Sequence, residues 1–166
     1  HESPRRGENF ISRKVIIGII KILKGHQKCL YLGNLKSKRD WGHAKEFVDA
    51  QWKILQYKTP DDFVIATGKN YSVKDLVNLV LKKLKIKYLW KKDKKGYEYA
   101  IAQNDIGQIK KSQIIIKQEK IYFRPNEVHN LVGDYRKATK LLKWKPKIKF
   151  DQLISEMIDS DLKNII

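Results

Sequence analysis

The fold is decided by residues 32–52, which read Leu-Gly-Asn-Leu-Lys-Ser-Lys-Arg-Asp-Trp-Gly-His-Ala-Lys-Glu-Phe-Val-Asp-Ala-Gln-Trp. The stretch predicts the end of a strand at residues 29–32, a Gly-Asn turn, and a short extended piece at residues 39–41. A helix is predicted next, because six residues recur on one face at spacings of three and four: Ala44, Phe47, Val48, Gln51, Trp52 and Leu55.

The start of this helix is a candidate anion site. Gly42 lies where the chain turns into the helix, so the first free backbone N–H groups are predicted to point back toward Arg39. A guanidinium beside a helix N-terminus is suited to binding a phosphate. The alternative is that Arg39 only pairs with Asp40 or Glu46 at the surface, and this stretch by itself leaves both interpretations open.

The composition indicates a folded chain with one core. The 166 residues are 42% hydrophobic, which is enough for a single globular domain. The longest apolar run, residues 15–23, is interrupted by Lys21 and is too short to span a membrane. With no signal-peptide pattern and one cysteine, Cys29, we expect a reducing, cytoplasmic compartment. Because residue 1 is His1 and the sole methionine is Met157, we expect a piece of a longer protein.

The net charge of +18 raises the alternative of a basic nucleic-acid-binding module. The basic residues are mostly lysines, however, and they are dispersed along the predicted helices and strands. The dense patches are confined to residues 82–87 and 91–95. A solvated surface is the preferred explanation, so neither a nucleic-acid partner nor a membrane is expected.

The arginines carry more information than the lysines. Six of the 36 basic residues are arginines: Arg5, Arg6, Arg13, Arg39, Arg124 and Arg136. A chain that otherwise uses lysine is expected to use arginine where a planar, two-pronged donor is needed. This pattern suggests that several arginines converge on phosphate oxygens. Arg13 stands in the first turn of a predicted helix, where a cation needs a partner such as a bound anion or Glu8.

The remaining elements predict an α/β fold. A helix at residues 13–24 is predicted to be capped by Ser12 and ended by Gly25. The later elements are a buried strand at residues 62–66, a helix carrying residues 76–84 behind a capping box of Ser72 and Asp75, a half-exposed strand at 97–101, apolar runs at 114–116 and 121–123, a helix capped by Asp134, and a last helix over residues 150–162.

No local pattern predicts catalysis or metal binding. His26 and Cys29 have no second pair at ligand spacing, so no metal site is expected. Tyr88 and Lys92 have the spacing of a dehydrogenase Tyr/Lys pair, but they fall on a strand that leads into a lysine-rich turn, which favours chance. The chain also lacks a glycine-rich dinucleotide fingerprint and any Ser/His/Asp arrangement. The predicted chemistry is therefore anion and nucleotide binding, with no catalytic residue in this segment.

Eight motifs carry a resemblance to a known family. They are His-Glu-Ser-Pro-Arg-Arg-Gly-Glu at 1–8, Ser-Arg-Lys-Val at 12–15, Cys-Leu-Tyr-Leu-Gly-Asn-Leu at 29–35, Arg-Asp-Trp-Gly-His-Ala-Lys at 39–45, Asp-Phe-Val-Ile-Ala-Thr-Gly at 62–68, Tyr-Phe-Arg-Pro-Asn-Glu-Val at 122–128, Leu-Val-Gly-Asp at 131–134 and Trp-Lys-Pro at 144–146. With these motifs the chain resembles the C-terminal half of the GDP-mannose 4,6-dehydratases, NADP-dependent members of the extended short-chain dehydrogenase/reductase family. Only residues 91–121 depart from the family noticeably.

The resemblance implies a fold and an activity. The implied fold is the C-terminal part of an extended Rossmann-type fold with a smaller mixed α/β substrate-binding domain. Residues 1–166 would form the sugar-nucleotide-binding portion, with about 43–68 belonging to the incomplete N-terminal Rossmann domain. The family oxidises C4 of GDP-mannose, eliminates water across C5–C6 and returns the hydride to C6, giving GDP-4-dehydro-6-deoxymannose, a precursor of GDP-fucose. The alternative within this resemblance is another extended family member, an epimerase or dehydratase acting on a nucleotide sugar.

The resemblance also implies site residues and partners. The family's catalytic residues precede the motif at residues 1–8, so this segment is expected to be inactive by itself. The implied partners are GDP-mannose, the missing N-terminal Rossmann portion, and further copies in a homo-oligomer. Arg5 and Arg6 lie on a loop that can contribute to subunit contacts in the family. By family analogy His1 and Arg6 touch NADP, Ile11 (through its backbone) and Lys14 approach the GDP end, Arg39 and Arg124 hold the pyrophosphate, and Glu127 binds a ribose hydroxyl.

Overall fold

A computed structural model describes residues 1–165, in which helices pack on one small mixed sheet. The helices are α1 Ile11–Leu23, α2 Ala44–Leu55, α3 Val73–Lys83, α4 Arg136–Leu142 and α5 Phe150–Asn164, and a 3-10 turn covers Lys120–Tyr122. The strands are β1 Leu30–Leu32, β2 Lys38–Arg39, β3 Tyr71–Ser72, β4 Tyr88–Lys92, β5 Glu98–Ala102 and β6 Ile114–Gln118.

The main sheet has the strand order β1-β6-β5-β4. β1 pairs with β6 in parallel, whereas β5 is antiparallel to both β6 and β4. The predicted strand at residues 97–101 is confirmed as β5, and the apolar run at 114–116 begins β6. β2 and β3 form a separate antiparallel pair that brings Lys38 opposite Ser72.

Helix α1 is the centre of the main hydrophobic core. Eight of its thirteen residues are buried, none is exposed, and the run of buried residues from Val15 to Ile20 covers every side of the helix, which packs against α3, α5 and β1. Gly25 ends the helix as predicted, with a φ of +84° that suits glycine. The predicted cap was wrong: the helix begins at Ile11, and the buried hydroxyl of Ser12 donates a hydrogen bond to the Glu2 carboxylate.

Arg13 has a different partner from the two that were expected. Its guanidinium forms a 2.8 Å ion pair with Asp161 of α5, and it also donates to the backbone oxygens of Pro4 and Arg6. The side chains of Arg13 and Asp161 are only 11% and 2% exposed. The cation in the first turn of α1 is therefore balanced by an internal carboxylate, rather than by a bound anion or Glu8.

The helices that pack on α1 follow the sequence closely. Ser72 and Asp75 form the predicted capping box of α3. α5 buries the predicted apolar face from Phe150 to Ile158. At α4 the predicted cap was one residue off: the N-cap is Tyr135, whose side chain makes no capping hydrogen bond, while the Asp134 carboxylate accepts from the Arg136 backbone N–H at 2.9 Å.

A second, smaller cluster joins α2 to α4. Its buried members are Ala50, Ala138, Leu142 and Trp144, with partly buried Ile54, Tyr57, Phe63, Ile65 and Tyr135 around them. The strand predicted at residues 62–66 stays a prediction: the segment pairs with no strand among the described residues, and the family resemblance assigns it to the incomplete N-terminal Rossmann domain. Its side chains nevertheless alternate: Phe63 and Ile65 pack into the cluster, while Val64 is exposed.

The buried Arg13–Asp161 pair generates a prediction. Arg13→Met leaves the Asp161 carboxylate buried without a cation, which we expect to lower the free energy of unfolding by about 3 kcal/mol at neutral pH. Burial raises the pKa of Asp161, so at mildly acidic pH the carboxyl takes up a proton in the folded state and the deficit shrinks. Urea unfolding at the two pH values measures both effects. The control Arg136→Met removes an exposed partner of Asp134 and should change little; equal losses in the two variants would contradict the prediction.

Candidate functional site

Residues 38–40 hold an exposed segment of the chain that we call the strap, residues 124–133. The Lys38 N–H donates to the His129 carbonyl at 2.8 Å, and the Leu131 N–H donates to the Lys38 carbonyl at 3.2 Å. Arg124 lies exposed at the start of the strap. The short strand β2 thus has β3 as one neighbour and the strap as another.

Arg39 uses its guanidinium as a fork on the strap. One nitrogen donates to the Val128 carbonyl at 2.6 Å, and the other pairs with the Glu127 carboxylate, 88 residues away in sequence. The surface pairing of Arg39 with Asp40 or Glu46, which the sequence left open, is not observed. The sequence indicated that this arginine would serve as a planar, two-pronged donor. The guanidinium does so, and its acceptors here are oxygens of the protein itself.

The Asp40 carboxylate accepts hydrogen bonds from two segments that are distant in sequence. Its carboxylate accepts hydrogen bonds from the Thr67 N–H at 2.9 Å, the Thr67 hydroxyl at 2.5 Å and the Gly68 N–H at 3.0 Å. It also accepts from the Gly133 N–H at 3.2 Å, at the end of the strap. One carboxylate therefore ties residues 67–68 to the strap, directly beside Arg39.

The first N–H groups of α2 already have partners within the chain. The imidazole of His43 caps the helix, because its Nδ1 accepts from the Lys45 N–H at 3.1 Å. Its Nε2 therefore carries the proton and donates to Glu156 at 2.9 Å, and this hydrogen bond lowers the pKa of the Glu156 carboxyl. The Ala44 N–H is also used, by the Glu2 carbonyl. The predicted pairing of a free helix N-terminus with Arg39 was therefore wrong.

Lys14 stands close to the chain that leads into the strap. Its ammonium lies 4.6 Å from the centre of the Tyr122 ring, and burial lowers its pKa. Gly33 allows the backbone at Tyr122 to approach closely, because a Cβ on residue 33 would lie 2.1 Å from the Tyr122 backbone oxygen. Ile11, half-buried at the start of α1, lies one turn before Lys14.

The two residues implied in cofactor binding, His1 and Arg6, both lie among the first six residues but have different neighbours. The ring of His1 packs 5.2 Å from that of Phe47 on α2. The Arg6 guanidinium stacks 3.4 Å above the Phe10 ring and lies 3.5 Å from the Glu2 carboxylate. The Nε of Arg6 is buried without a hydrogen-bond partner within residues 1–165.

The structure thus brings together only part of the predicted set. Arg39 contacts Glu127, and Lys14 contacts Tyr122, two residues before Arg124. The six arginines do not converge on one point, because Arg13 and Arg136 pair with aspartates of their own. The roles of Asp40 and His43 were not predicted from the sequence. The feature that could have indicated them is their position within the motif at residues 39–45.

Solved structures with the same fold define the class of protein. Over 98% of this chain and 46% of the other, the structure superposes on RMD from Pseudomonas aeruginosa complexed with NADPH, with a TM-score of 0.72 and 16% identity. It superposes on the dTDP-glucose 4,6-dehydratase of Bacillus anthracis, solved in complex with NAD, with a TM-score of 0.69 and 17% identity over 99% of this chain and 42% of that one. The fold is α/β and forms the C-terminal part of the extended short-chain dehydrogenase/reductase fold.

Sequence comparison gives the family. Residues 1–157 match the GDP-mannose 4,6 dehydratase family. The GDP-mannose 4,6-dehydratase of Vibrio cholerae is 43% identical over 98% of this chain and 45% of its own length, and the human enzyme is 41% identical over 98% and 42%. The chain belongs to the GDP-mannose 4,6-dehydratase family, and it spans somewhat less than half the length of these relatives.

The helices and side-chain clusters of residues 1–165 also bear on membranes and metals. None of the helices in this range combines the length and the apolar character that crossing a membrane requires. In the same range, no three His, Cys, Asp or Glu side chains are grouped so that they could hold a metal ion.

The close approach of Gly33 to Tyr122 generates a prediction. Gly33→Ala must displace the backbone at residues 122–123, which we expect to cost about 1–3 kcal/mol of stability. The amides of Tyr122 and Phe123, which donate within the 3-10 turn, should then exchange hydrogen faster. The control is Gly96→Ala, where a Cβ meets nothing within 4 Å but the φ of +83° disfavours alanine; it should lower stability without changing exchange at residues 122–123. Unchanged exchange at residues 122–123 in Gly33→Ala would refute the prediction.

Proposed function

We propose that the chain is the substrate-binding part of an enzyme that converts GDP-mannose to GDP-4-dehydro-6-deoxymannose. Arg39 and Arg124 hold the pyrophosphate, Glu127 binds a ribose hydroxyl, and Lys14 and the Ile11 backbone approach the rest of the GDP. Family membership supports the reaction class. The residues of this chain bind and orient the nucleotide sugar and perform none of the hydride or proton transfers.

The observation that carries the proposal is the contact between Arg39 and Glu127. In a nucleoside diphosphate, the pyrophosphate and the ribose are adjacent. A two-pronged cation beside a carboxylate is the pair of groups that suits these two neighbours, since guanidinium binds phosphate oxygens and a carboxylate accepts from hydroxyls. The exposed Arg124, three residues before Glu127, lies on the same segment.

The proposed cofactor is NADP, with His1 and Arg6 among the groups that contact it. Bound there, NADP would supply reversible hydride chemistry at the sugar, and His1 and Arg6 would help to hold it. Arg6 can still reach a phosphate-bearing ligand, because the contact with Glu2 involves its Nε, at 3.5 Å, and its side chain is 28% exposed. An NADPH complex of a protein with this fold is consistent with the proposal.

The rest of the enzyme belongs to the proposal as well. We propose that residues 43–68 complete an N-terminal Rossmann domain, which carries the catalytic residues, so that the chain by itself is inactive. α2 presents an apolar stripe to solvent, in which Val48, Trp52 and Leu55 are 59%, 61% and 81% exposed. Such a stripe is typical of a surface that another part of the protein covers. A cytoplasmic homo-oligomer is the proposed state of the complete enzyme.

The pyrophosphate role of the two arginines can be tested with charge-conserving substitutions. In the complete enzyme, Arg39→Lys or Arg124→Lys keeps the positive charge but loses the fork. We expect each change to cost about 1.5–3 kcal/mol of GDP affinity, which is roughly 10- to 150-fold in dissociation constant. Calorimetric titration of GDP at two salt concentrations measures the loss.

Two lysines of the basic patches provide the controls. Lys82→Ala and Lys94→Ala remove exposed charges and should leave GDP affinity nearly unchanged. If the arginine variants bind GDP like the parent while the lysine variants lose as much or more, the pyrophosphate assignment is wrong.

The proposed cover of α2 can be tested by fluorescence. Trp41 and Trp144 are buried, so Trp52 should dominate quenching by acrylamide in the present chain. In the complete enzyme Trp52 should be protected, which is measured as the difference between the parent and Trp52→Phe. Trp90→Phe is the matched control, because Trp90 lies on β4 in the other cluster and should contribute equally in both proteins. Equal quenching of Trp52 in the two proteins would exclude the cover.

A further inference from the structure

We propose that Asp40 is a positioning residue of the nucleotide site, which fixes the strap so that Arg124 and Glu127 stand correctly beside Arg39. This inference rests on the proposed function, because it assigns to Asp40 the task of placing residues that bind the nucleotide. Asp40 itself is not assigned a contact with the ligand.

Within residues 1–165 the strap has little apolar anchoring. Residues 124–132 are exposed apart from Glu127, and they include the apolar side chains of Val128, Leu131 and Val132. A segment that buries so little surface is positioned mainly by its hydrogen bonds, and these decide how far it moves. A few polar contacts therefore control where Arg124 and Glu127 lie.

Most of the polar contacts that hold the strap come from residues 38–40. Lys38 pairs with the strap through its backbone, Arg39 holds Glu127 and Val128, and Asp40 holds the Gly133 N–H. Asn70 adds a side-chain hydrogen bond to Asn130. The strap is thus fastened at its middle by Lys38 and Arg39 and at its end by Asp40.

Asp40 is itself held in place by hydrogen bonds from a packed segment. Three of its hydrogen bonds come from Thr67 and Gly68, which follow directly on the cluster between α2 and α4. Gly133 must be glycine for this approach, since a Cβ there would lie 2.3 Å from that of Ala66. Asp40 therefore connects the packed segment 63–68 to the end of the strap by hydrogen bonds, so that the position of the segment fixes that of Gly133.

The test is Asp40→Asn in the complete enzyme. The amide keeps the size of the carboxylate, but it turns an acceptor into a donor toward the backbone N–H groups and loses the charge. We expect the dissociation constant for GDP to rise about tenfold, the effect of roughly one charge-assisted hydrogen bond. The KM for the sugar nucleotide should rise with it, while the affinity for NADP stays unchanged. Hydrogen exchange at residues 131 and 133 should become faster.

The matched control is Glu46→Gln. The Glu46 carboxylate likewise accepts two backbone hydrogen bonds, from Lys147 at 2.6 Å and Ile148 at 3.0 Å, and it does not contact the strap. In Glu46→Gln the retained Oε1 can still accept both N–H groups, but without the charge these hydrogen bonds weaken. Stability should therefore fall while GDP affinity stays unchanged, which separates positioning of the strap from a general loss of stability. A milder second variant, Thr67→Val, removes one donor to Asp40 and should weaken GDP binding about two- to threefold, whereas Thr67→Ser should resemble the parent.

The possible results separate the role of Asp40 from the proposed function of the chain. A parent enzyme that binds GDP, together with an Asp40→Asn variant whose affinity lies within about twofold of the parent's, overturns the role of Asp40 alone. Equal losses of GDP affinity in Asp40→Asn and Glu46→Gln overturn it as well. A parent enzyme that does not bind GDP overturns the proposed function, and the nucleotide role of Asp40 with it.

Discussion

The enclosure of helix α1 is the constraint on which the rest of the structure depends. This isoleucine-rich helix is surrounded by α3, α5 and β1, and Gly18 lets the buried Leu30 side chain approach it closely. A helix packed on all sides cannot rotate or shift without loss of many contacts. Its first turn is therefore fixed, which places Arg13 against Asp161 and Lys14 against Tyr122. The apolar core thus sets one wall of the candidate site.

The other wall is held by polar contacts. The strap buries little apolar surface, and residues 38–40 connect it to β3 and to the segment after the second cluster. This division is common where a site must admit a ligand, because exposed segments are held less strongly than the core and can adjust. Ten contiguous residues, 124–133, consequently depend on a three-residue stretch for their position.

The contrast between lysine and arginine reflects geometry rather than net charge. Lysines cover the surface, whereas Arg13 and Arg39 each use the planar fork to bind a carboxylate together with a backbone oxygen. The scarcity of arginine correctly marked positions where two-pronged bonding is needed. It did not identify the acceptors, since a fork binds a protein carboxylate as readily as a phosphate.

The sequence by itself determined the α/β class, the capping box of α3, the end of α1 at Gly25 and the apolar face of α5, because local periodicity and capping chemistry govern these features. It also marked Arg39, Arg124 and Glu127 through the family resemblance. Tertiary structure decided the rest. The segment at residues 62–66 has the composition of a strand, but it pairs with no strand within residues 1–165, because a strand forms only where a partner supplies hydrogen bonds. The partners of Arg13, Arg39 and Asp40 lie far away in the chain, and only folding brings them together, so no spacing in the sequence could have revealed them.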